Sequence, residues 1–239
     1  MPHTEEIQMV LQRAREHLVD FEIVTNGKYI PNWHHEIIGK ELEHIEQVGD
    51  RDYKILLISC PPRAGKSLQC SIDFPAWYLG RNPDKEIITS SYSGELAQEF
   101  GSKTRDKVMS NEFKAIFPKV TLREDEQAKG HWRTKQGGGY LSIGVGGAIT
   151  GRGANILLLD DVFKNREEAD SEIMRNKIYG WFTSTAFTRL EPNGVVIIIG
   201  TRWHCDDLIG RIRVNEELNK RVKEIRFPAL DDSFDGGVL

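Results

Sequence analysis

Cys60-Pro61-Pro62-Arg63-Ala64-Gly65-Lys66-Ser67 follows directly on Ile55-Leu56-Leu57-Ile58-Ser59, and the two segments together set the reading of everything around them. The first five residues are short, apolar and β-branched at the ends, as a strand buried on both faces of a parallel sheet should be. From Ser67 to about Leu79 the chain carries apolar residues with little punctuation until Pro75, so the spacing predicts a helix that starts at the Lys66-Ser67 pair. Strand, tight loop and helix form the context of a phosphate-binding loop. Backbone N–H groups of the loop Pro62-Arg63-Ala64-Gly65-Lys66, from Arg63 on, and the helix N-terminus would cradle phosphates, Lys66 would reach the β- and γ-phosphates, and Ser67 would hold Mg²⁺. The full pattern asks for glycine where Cys60 stands, so Gly65-Lys66-Ser67 draws its weight from the strand before it. A chance Gly-Lys-Ser on a surface loop is the alternative.

A second apolar run, Ile156-Leu157-Leu158-Leu159, ends in Asp160-Asp161, the form of a Walker B element. An acid at the tip of a buried strand beside the phosphate loop can complete a Mg²⁺ shell, a role that falls to Asp160. Asp161 then orients or polarises an attacking water. Glu167 and Glu168 are further acids that could reach in, and a solvated turn is the non-functional reading of the pair.

The 239 residues suffice for one large core, and 39% hydrophobic with 28% charged residues is an ordinary globular composition. No apolar run approaches the roughly 20 residues of a membrane span, and the polar start Met1-Pro2-His3-Thr4-Glu5-Glu6 does not read as a signal peptide. The three cysteines, Cys60, Cys70 and Cys205, are odd in number and lack metal-type spacing, the usage expected of reduced thiols in a cytosolic protein. A net charge of −4 argues against a wholly basic nucleic-acid binder.

Apolar positions Ile7, Val10, Leu11, Ala14 and Leu18 predict a helix from about Thr4, its N-cap, to Val19. Helices are also predicted for His34 to Val48, ended by Gly49-Asp50, for Gly94 to Met109, and for residues 167–187 with a break at Gly180. Strands are predicted at Glu86 to Ser91, Val195 to Gly200 and, more weakly, Val222 to Phe227. Between Pro118 and Gly153 the short runs Val120-Thr121-Leu122, His131 to Thr134 and Tyr140 to Ile143 suggest an antiparallel insertion. Strands alternating with helices predict an α/β fold with a mainly parallel, helix-covered sheet.

At this point the chain resembles the ATPase domain of a large terminase subunit, the DNA-packaging motor of tailed bacteriophages. The resemblance rests on blocks in order: Pro61 to Ser67, Phe74 to Arg81, Ser91-Tyr92-Ser93, Thr150-Gly151-Arg152-Gly153-Ala154-Asn155, the Asp160-Asp161 strand, Gly200-Thr201-Arg202-Trp203-His204 and Arg226-Phe227-Pro228-Ala229-Leu230. It implies a RecA-like additional-strand P-loop ATPase core, helices on both sheet faces and a small N-terminal helical or lid subdomain. Residues 1–50 would form that lid and adenine-side element, residues 51–230 the core, and residues 231–239 the start of an interdomain linker. Large terminases normally continue into an RNase H-like nuclease. No further acid-tipped strands remain here, so nuclease activity is not assigned.

The resemblance also implies ATP and Mg²⁺ as ligands, double-stranded DNA as the translocated partner, a homo-oligomeric ring on the portal, a small terminase subunit and the host cytoplasm as the location. Additional-strand ATPases often carry Glu where Asp161 stands. Thr201, after the Val195–Gly200 strand, is placed to link γ-phosphate state to DNA grip, with a helix cap by Thr201 or His204 as the alternative. Arg63 could sense phosphate in cis, Arg105 could act as a finger on a neighbouring subunit, and Arg152 is a third candidate. Trp33, His34 and His35 fall where the family places its adenine pocket; Trp33 packing at the helix start is equally open. Arg211, Arg213, Lys220, Arg221, Lys223 and Arg226 form the densest basic region, interleaved with Glu216, Glu217 and Glu224, so a solvated face competes with DNA contact. A helicase of the same core, or a nucleotide-binding assembly module nearly inert in isolation, are the competing functions.

Overall fold

A computed structural model of the chain describes residues 2–47, 52–149 and 151–227. The expected boundary at residue 50, the Gly49-Asp50 helix stop, Thr150, Pro228 to Leu230 and the 231–239 linker lie outside the described residues.

Among the described residues eight strands form one sheet, in the order β3-β4-β5-β2-β6-β7-β1-β8. They are β1 (Ile55–Ser59), β2 (Glu86–Ser91), β3 (Leu122–Ala128), β4 (His131–Thr134), β5 (Gly139–Gly144), β6 (Ala154–Asp160), β7 (Leu190–Gly200) and β8 (Val222–Arg226). From β5 to β8 every neighbouring pair is parallel; β3-β4 and β4-β5 are antiparallel. The insertion is therefore an extension of the main sheet, because β5 turns to run alongside β2.

Alternation along the central strands sorts two cores onto the two faces. Leu56, Ile58, Ile156, Leu158, Val195, Ile197 and Ile199 share one cluster with residues of α1 (Pro2–Glu16), α2 (Leu18–Thr25), α3 (Trp33–Gln47), α4 (Phe74–Arg81), α5 (Gly94–Met109) and α6 (Asn111–Ile116). Ile55, Leu57, Leu157, Leu159, Val196 and Ile198 share the other with Ala169 of α7 (Arg166–Asp170), Ile178 and Trp181 of α8 (Glu172–Trp181), and Leu208 and Ile212 of α9 (Leu208–Val214). A short α10 (Glu216–Asn219) leads into β8. Burial on both faces is why these strands read as unbroken apolar runs. Among the described residues no helix is long and apolar enough to cross a membrane.

Several boundaries depart from the sequence expectations. The first predicted helix is two: α1 runs from Pro2 to Glu16, and α2 begins at Leu18, whose amide is taken by Glu43 Oε1 at 2.7 Å. Thr4 therefore lies inside the first helix rather than capping it. The helix that starts at Lys66 runs on through Pro75 to Arg81, as expected, but not as a regular α-helix. Residues Leu68–Asp73 widen into π turns just before the proline, a geometry that absorbs a residue lacking an N–H. Gly180 sits within α8 without a break; the interruption falls at Ser171, whose hydroxyl caps Met174 N at 3.4 Å. β3 begins only at Leu122 and carries Arg123, Glu124, Asp125 and Glu126, the charge that keeps an edge strand from pairing further.

Trp132 and Tyr140 stack at 5.2 Å across β4-β5, and Trp132 Nε1 donates to Gly101 O on α5 at 3.0 Å. This ties the antiparallel edge to the helix over β2.

Candidate active site

β7 lies between β1 and β6, so the loop after β1 and the acids after β6 are two strand spacings apart, roughly 10 Å. Registers Ser59↔Gly200 and Asp160↔Ile199 bring all three strand ends to one edge. Long side chains close the remaining gap. Lys66 Nζ, 7% exposed as a residue, stands 3.6 Å from Asp161 Oδ2.

The loop turns through left-handed backbone at Arg63 (φ 65°) and Gly65 (φ 76°). Glycine is required at the second position: a Cβ there would meet His35 Nε2 at 2.7 Å. The helix begins at once, with Gln69 N donating to Gly65 O at 3.1 Å.

Asp160 is fully buried, and its Oδ2 accepts from Ser71 Oγ at 2.6 Å. Its Oδ1 is buried with no hydrogen-bond partner. Burial, then the neighbouring Asp161 charge, lift its carboxyl from 3.8 to about 6, against the pull of Ser71, Ser67 and Lys66. Ser67 and the unpartnered oxygen of Asp160 thus form a donor set that suits a hard divalent cation.

Asp161 itself adopts left-handed backbone (φ 45°), which folds its carboxylate back over the end of β7. Thr201 N donates to its Oδ1 at 3.3 Å, its own amide bonds Ile199 O at 3.0 Å, and Tyr92 N reaches its carbonyl at 3.1 Å. The acid is fastened to the ends of β7 and β2 at once. A strained non-glycine conformation held this firmly is characteristic of a functional position.

Beside the loop opens a cleft of about 740 Å³, lined among others by Asn26, Tyr29, Asn32, His35, Arg63 and Gly65. Arg63 is exposed on its rim, without a hydrogen bond or ion pair among the described residues. His35 lines the cleft, and burial, then the adjacent His34, lower its pKa. Trp33 is not among the lining residues. It packs edge-on to Phe227 at 5.4 Å and to His34 at 5.8 Å, the packing alternative raised above.

Other candidates lie apart from this cluster. Glu167 is exposed in the first turn of α7, and Glu168 closes the start of that helix by accepting from Lys164 N at 2.9 Å. Arg105 is roughly 16 Å along α5 from the β2 end, and its guanidinium is spent on Asp106 and on Gln127 O at 2.8 Å. Arg152 acts on Glu86, the first residue of β2, at the opposite edge of the sheet. The cap of α9 is Asp207, which accepts from Gly210 N at 2.9 Å, so Thr201 and His204 are free of that duty. Among the described residues, four of the six basic residues of this region are paired: Arg211 with Asp206, Arg213 with Glu224, Lys220 with Glu217 and Lys223 with Glu41.

The sequence reading missed Ser71, although it follows Ser67 by four residues and so shares its helix face. It also missed the cleft walls from Asn26 to Asn32, which no local pattern marks. A buried network behind the cleft was equally silent. There Lys107 Nζ meets Asp73 Oδ1 at 2.8 Å and Asn26 Oδ1 at 2.6 Å, and Gln69 Nε2 bridges Glu22 Oε2 at 3.2 Å and His35 O at 2.9 Å. Burial first, then Asp73, push the Glu22 carboxyl well up.

Comparison with known proteins gives one family match: the model of the terminase large subunit, T4likevirus-type, N-terminal, over residues 57–234. Among solved structures, the chain is similar to a mutant of the large terminase ATPase domain of Thermus phage P74-26, with a TM-score of 0.50 and 13% identity over 75% of this chain and 68% of that one. The large terminase of the thermophilic bacteriophage D6E, solved with ADP and with ATP-γ-S, aligns with TM-scores of 0.46 at 10% and 11% identity. The matched part covers 81% of this chain and 47% of the D6E protein. Comparison with curated protein sequences gives no match.

Proposed function

Because the chain belongs to the large-subunit terminase family, T4likevirus-type, we propose that it hydrolyses ATP as the motor domain of viral DNA packaging. The observation that carries this reading is Lys66 and Asp161 meeting at 3.6 Å across the end of β7, with the unpartnered Asp160 oxygen behind them.

In this reading the backbone N–H groups from Arg63 to Lys66, in the loop that Pro62 opens, and the start of the following helix hold the phosphates, and Lys66 spans the β- and γ-groups. Ser67 and Asp160 would hold Mg²⁺, which when bound neutralises charge on the phosphates. With nucleotide in place Lys66 moves its charge toward the γ-phosphate, and Asp161 is released to orient a water and accept its proton. Thr201 N holds the other oxygen of Asp161, so the end of β7 fixes the direction of that acid. Arg63, unpaired on the rim, supplies charge to the phosphates in cis. The base enters the open cleft against His35 and Tyr29. Glu167, Arg105 and Trp33 act at this site only through movement or a neighbouring subunit.

Double-stranded DNA, a ring on the portal, a small terminase subunit and the host cytoplasm belong to the same proposal, by family. A second reading, a binding module inert alone, is favoured by Arg105 being fully engaged within its own chain. Steady-state hydrolysis of MgATP against protein concentration, with Lys66→Ala and Asp161→Asn, tests both. Loss of turnover in both variants supports the assignment, and wild-type rates in Lys66→Ala sink it. Binding without turnover at any concentration favours the module.

A further inference from the structure

His34 and His35 stand side by side at the start of α3, ring centroids 4.0 Å apart. Both Nε2 atoms lie 3.0 Å from one atom, the carbonyl oxygen of Ala64 in the phosphate loop. We propose that the two imidazoles are a positioning clamp: together they hold the Ala64 carbonyl against the start of α3, and so aim the Gly65 amide in the opposite direction, at the phosphates. This rests on the nucleotide reading above.

The argument is one of peptide geometry. In a planar trans peptide the C=O of Ala64 and the N–H of Gly65 point in opposite directions. Fixing the carbonyl toward α3 therefore fixes the amide toward the other side, where an anion would be bound. The loop needs an external restraint, because Arg63 and Gly65 both occupy left-handed backbone. A carbonyl has two lone pairs, so one oxygen can accept from both rings.

The tautomer of His35 is determined. Asn32 N donates to His35 Nδ1 at 3.0 Å, so Nδ1 is bare and Nε2 carries the proton that Ala64 O accepts. A second fastening lies one turn into the next helix, where Gln69 Nε2 donates to His35 O at 2.9 Å. The stretch from Gly65 to Leu68 is thus tied to α3 at both ends. Protonating His35 would set an N–H against the Asn32 amide and break that arrangement. The charged and titratable groups facing His35 are His34, Tyr29 (ring centroids 5.5 Å), and Lys28 and Arg63 across the cleft; no carboxylate among them favours the cation. Burial, then His34, already lower its pKa below 6.5, so the clamp holds at neutral pH and weakens as pH falls below that value.

The test uses the full chain with Mg²⁺ and two probes: a fluorescent N-methylanthraniloyl ATP, and inorganic tripolyphosphate as its competitor. The His34→Leu/His35→Leu variant should bind both about 10- to 100-fold more weakly, through lost alignment of buried donors. His35→Gln, which keeps an Nε2 donor, should recover most of what His35→Leu loses. Between pH 7.5 and 5.5 the affinity of the wild type for both probes should fall more steeply than that of the double Leu variant, which keeps only the pH dependence of Asp160 and of the probes themselves. If only the fluorescent ATP is weakened and tripolyphosphate is not, the imidazoles stack on the base and the clamp is refuted. Unchanged affinity for both probes in a folded double variant also refutes it. Lys66→Ala separates the two levels: if that variant binds tripolyphosphate like wild type, the phosphate-site reading itself has failed. Should the double Leu chain not fold, His34→Gln/His35→Gln decides, by retaining affinity with a shallower pH profile than wild type if the clamp is right, and by binding as weakly as His35→Leu if it is wrong.

Discussion

Asp160→Asn should stabilise the ligand-free protein while abolishing its chemistry, and the size of the gain follows from the site. Asp160 is fully buried, and its carboxyl is raised from 3.8 to about 6. The unfolded chain ionises the same group at its ordinary value, so the folded state binds more protons between the two. For this raised acid the sign is that stability falls as pH climbs from about 4 to about 6. The accumulated loss is about 1.5 kcal/mol at pH 5 and about 3 kcal/mol at pH 7.5. Substitution by Asn removes that loss and keeps an acceptor for Ser71, whose hydroxyl lies 2.6 Å from the present oxygen. It also buries an amide N–H₂ where Oδ1 now has no partner, at a cost of about 1–2 kcal/mol. The net gain is therefore about 1–2 kcal/mol at pH 7.5 and close to zero at pH 5. Urea unfolding with EDTA at the two pH values, at constant m-value, reads this directly. With MgATP the order should reverse, because only the wild type gains ligand stabilisation. Equal effects of the substitution at pH 5 and pH 7.5 would refute the ionisation argument, whatever their sign.

Other substitutions probe separate parts of the same site. Asp161→Asn should lower steady-state hydrolysis by about 10²–10⁴, the range for a lost general base, whereas Glu167→Gln should stay close to wild type; the opposite pattern would move the role to α7. Lys107→Met should cost about 3–5 kcal/mol in urea unfolding, since it strands the buried Asp73 carboxylate beside Glu22; an insignificant change would mean that Asp73 is already neutral. Gly65→Ala should abolish binding of the fluorescent nucleotide, because it collides with His35 at 2.7 Å and sets a Cβ on left-handed backbone, strain of about 1–2 kcal/mol before the clash is counted.

The parallel core was legible because burial on both faces leaves long apolar runs, and because the loop after β1 and the acids after β6 carry their chemistry in adjacent residues. What stayed hidden depends on contacts between distant segments. β3 is an edge strand whose charges erase the strand pattern. The π turns before Pro75 leave no local mark beyond the proline itself. Arg105 reads as a free cation on a helix face until Gln127 O, twenty-two residues on, is seen to occupy it. Trp33 and His35 share a short motif, yet the helix start turns one toward Phe227 and the other into the cleft. The basic stretch of β8 and its flanking helices is neutralised largely by acids nearby in sequence, with Glu41 of α3 the one distant partner among the described residues.

The position of β7 gives the site its coupling. Were β1 and β6 adjacent, their loops would meet directly and the intervening strand would have no part in placing the acid. With β7 between them, the Asp161 carboxylate is oriented by the amide of Thr201 on one oxygen and by Lys66 on the other. Gly200 makes room for this, since a Cβ there would lie 3.3 Å from Asp161 Oδ1. If nucleotide binds as proposed and draws Lys66 away, the Thr201 amide is the hydrogen bond left on the Asp161 carboxylate among the described residues. A displacement of the segment after β7 would then turn the acid with no change at the phosphate loop. That segment continues through Trp203, 41% exposed, to the cap at Asp207. On the proposed function, a force arriving at this surface would act on Asp161 through the Thr201 hydrogen bond, while the phosphate loop is held separately, at its Ala64 carbonyl, by the two histidines.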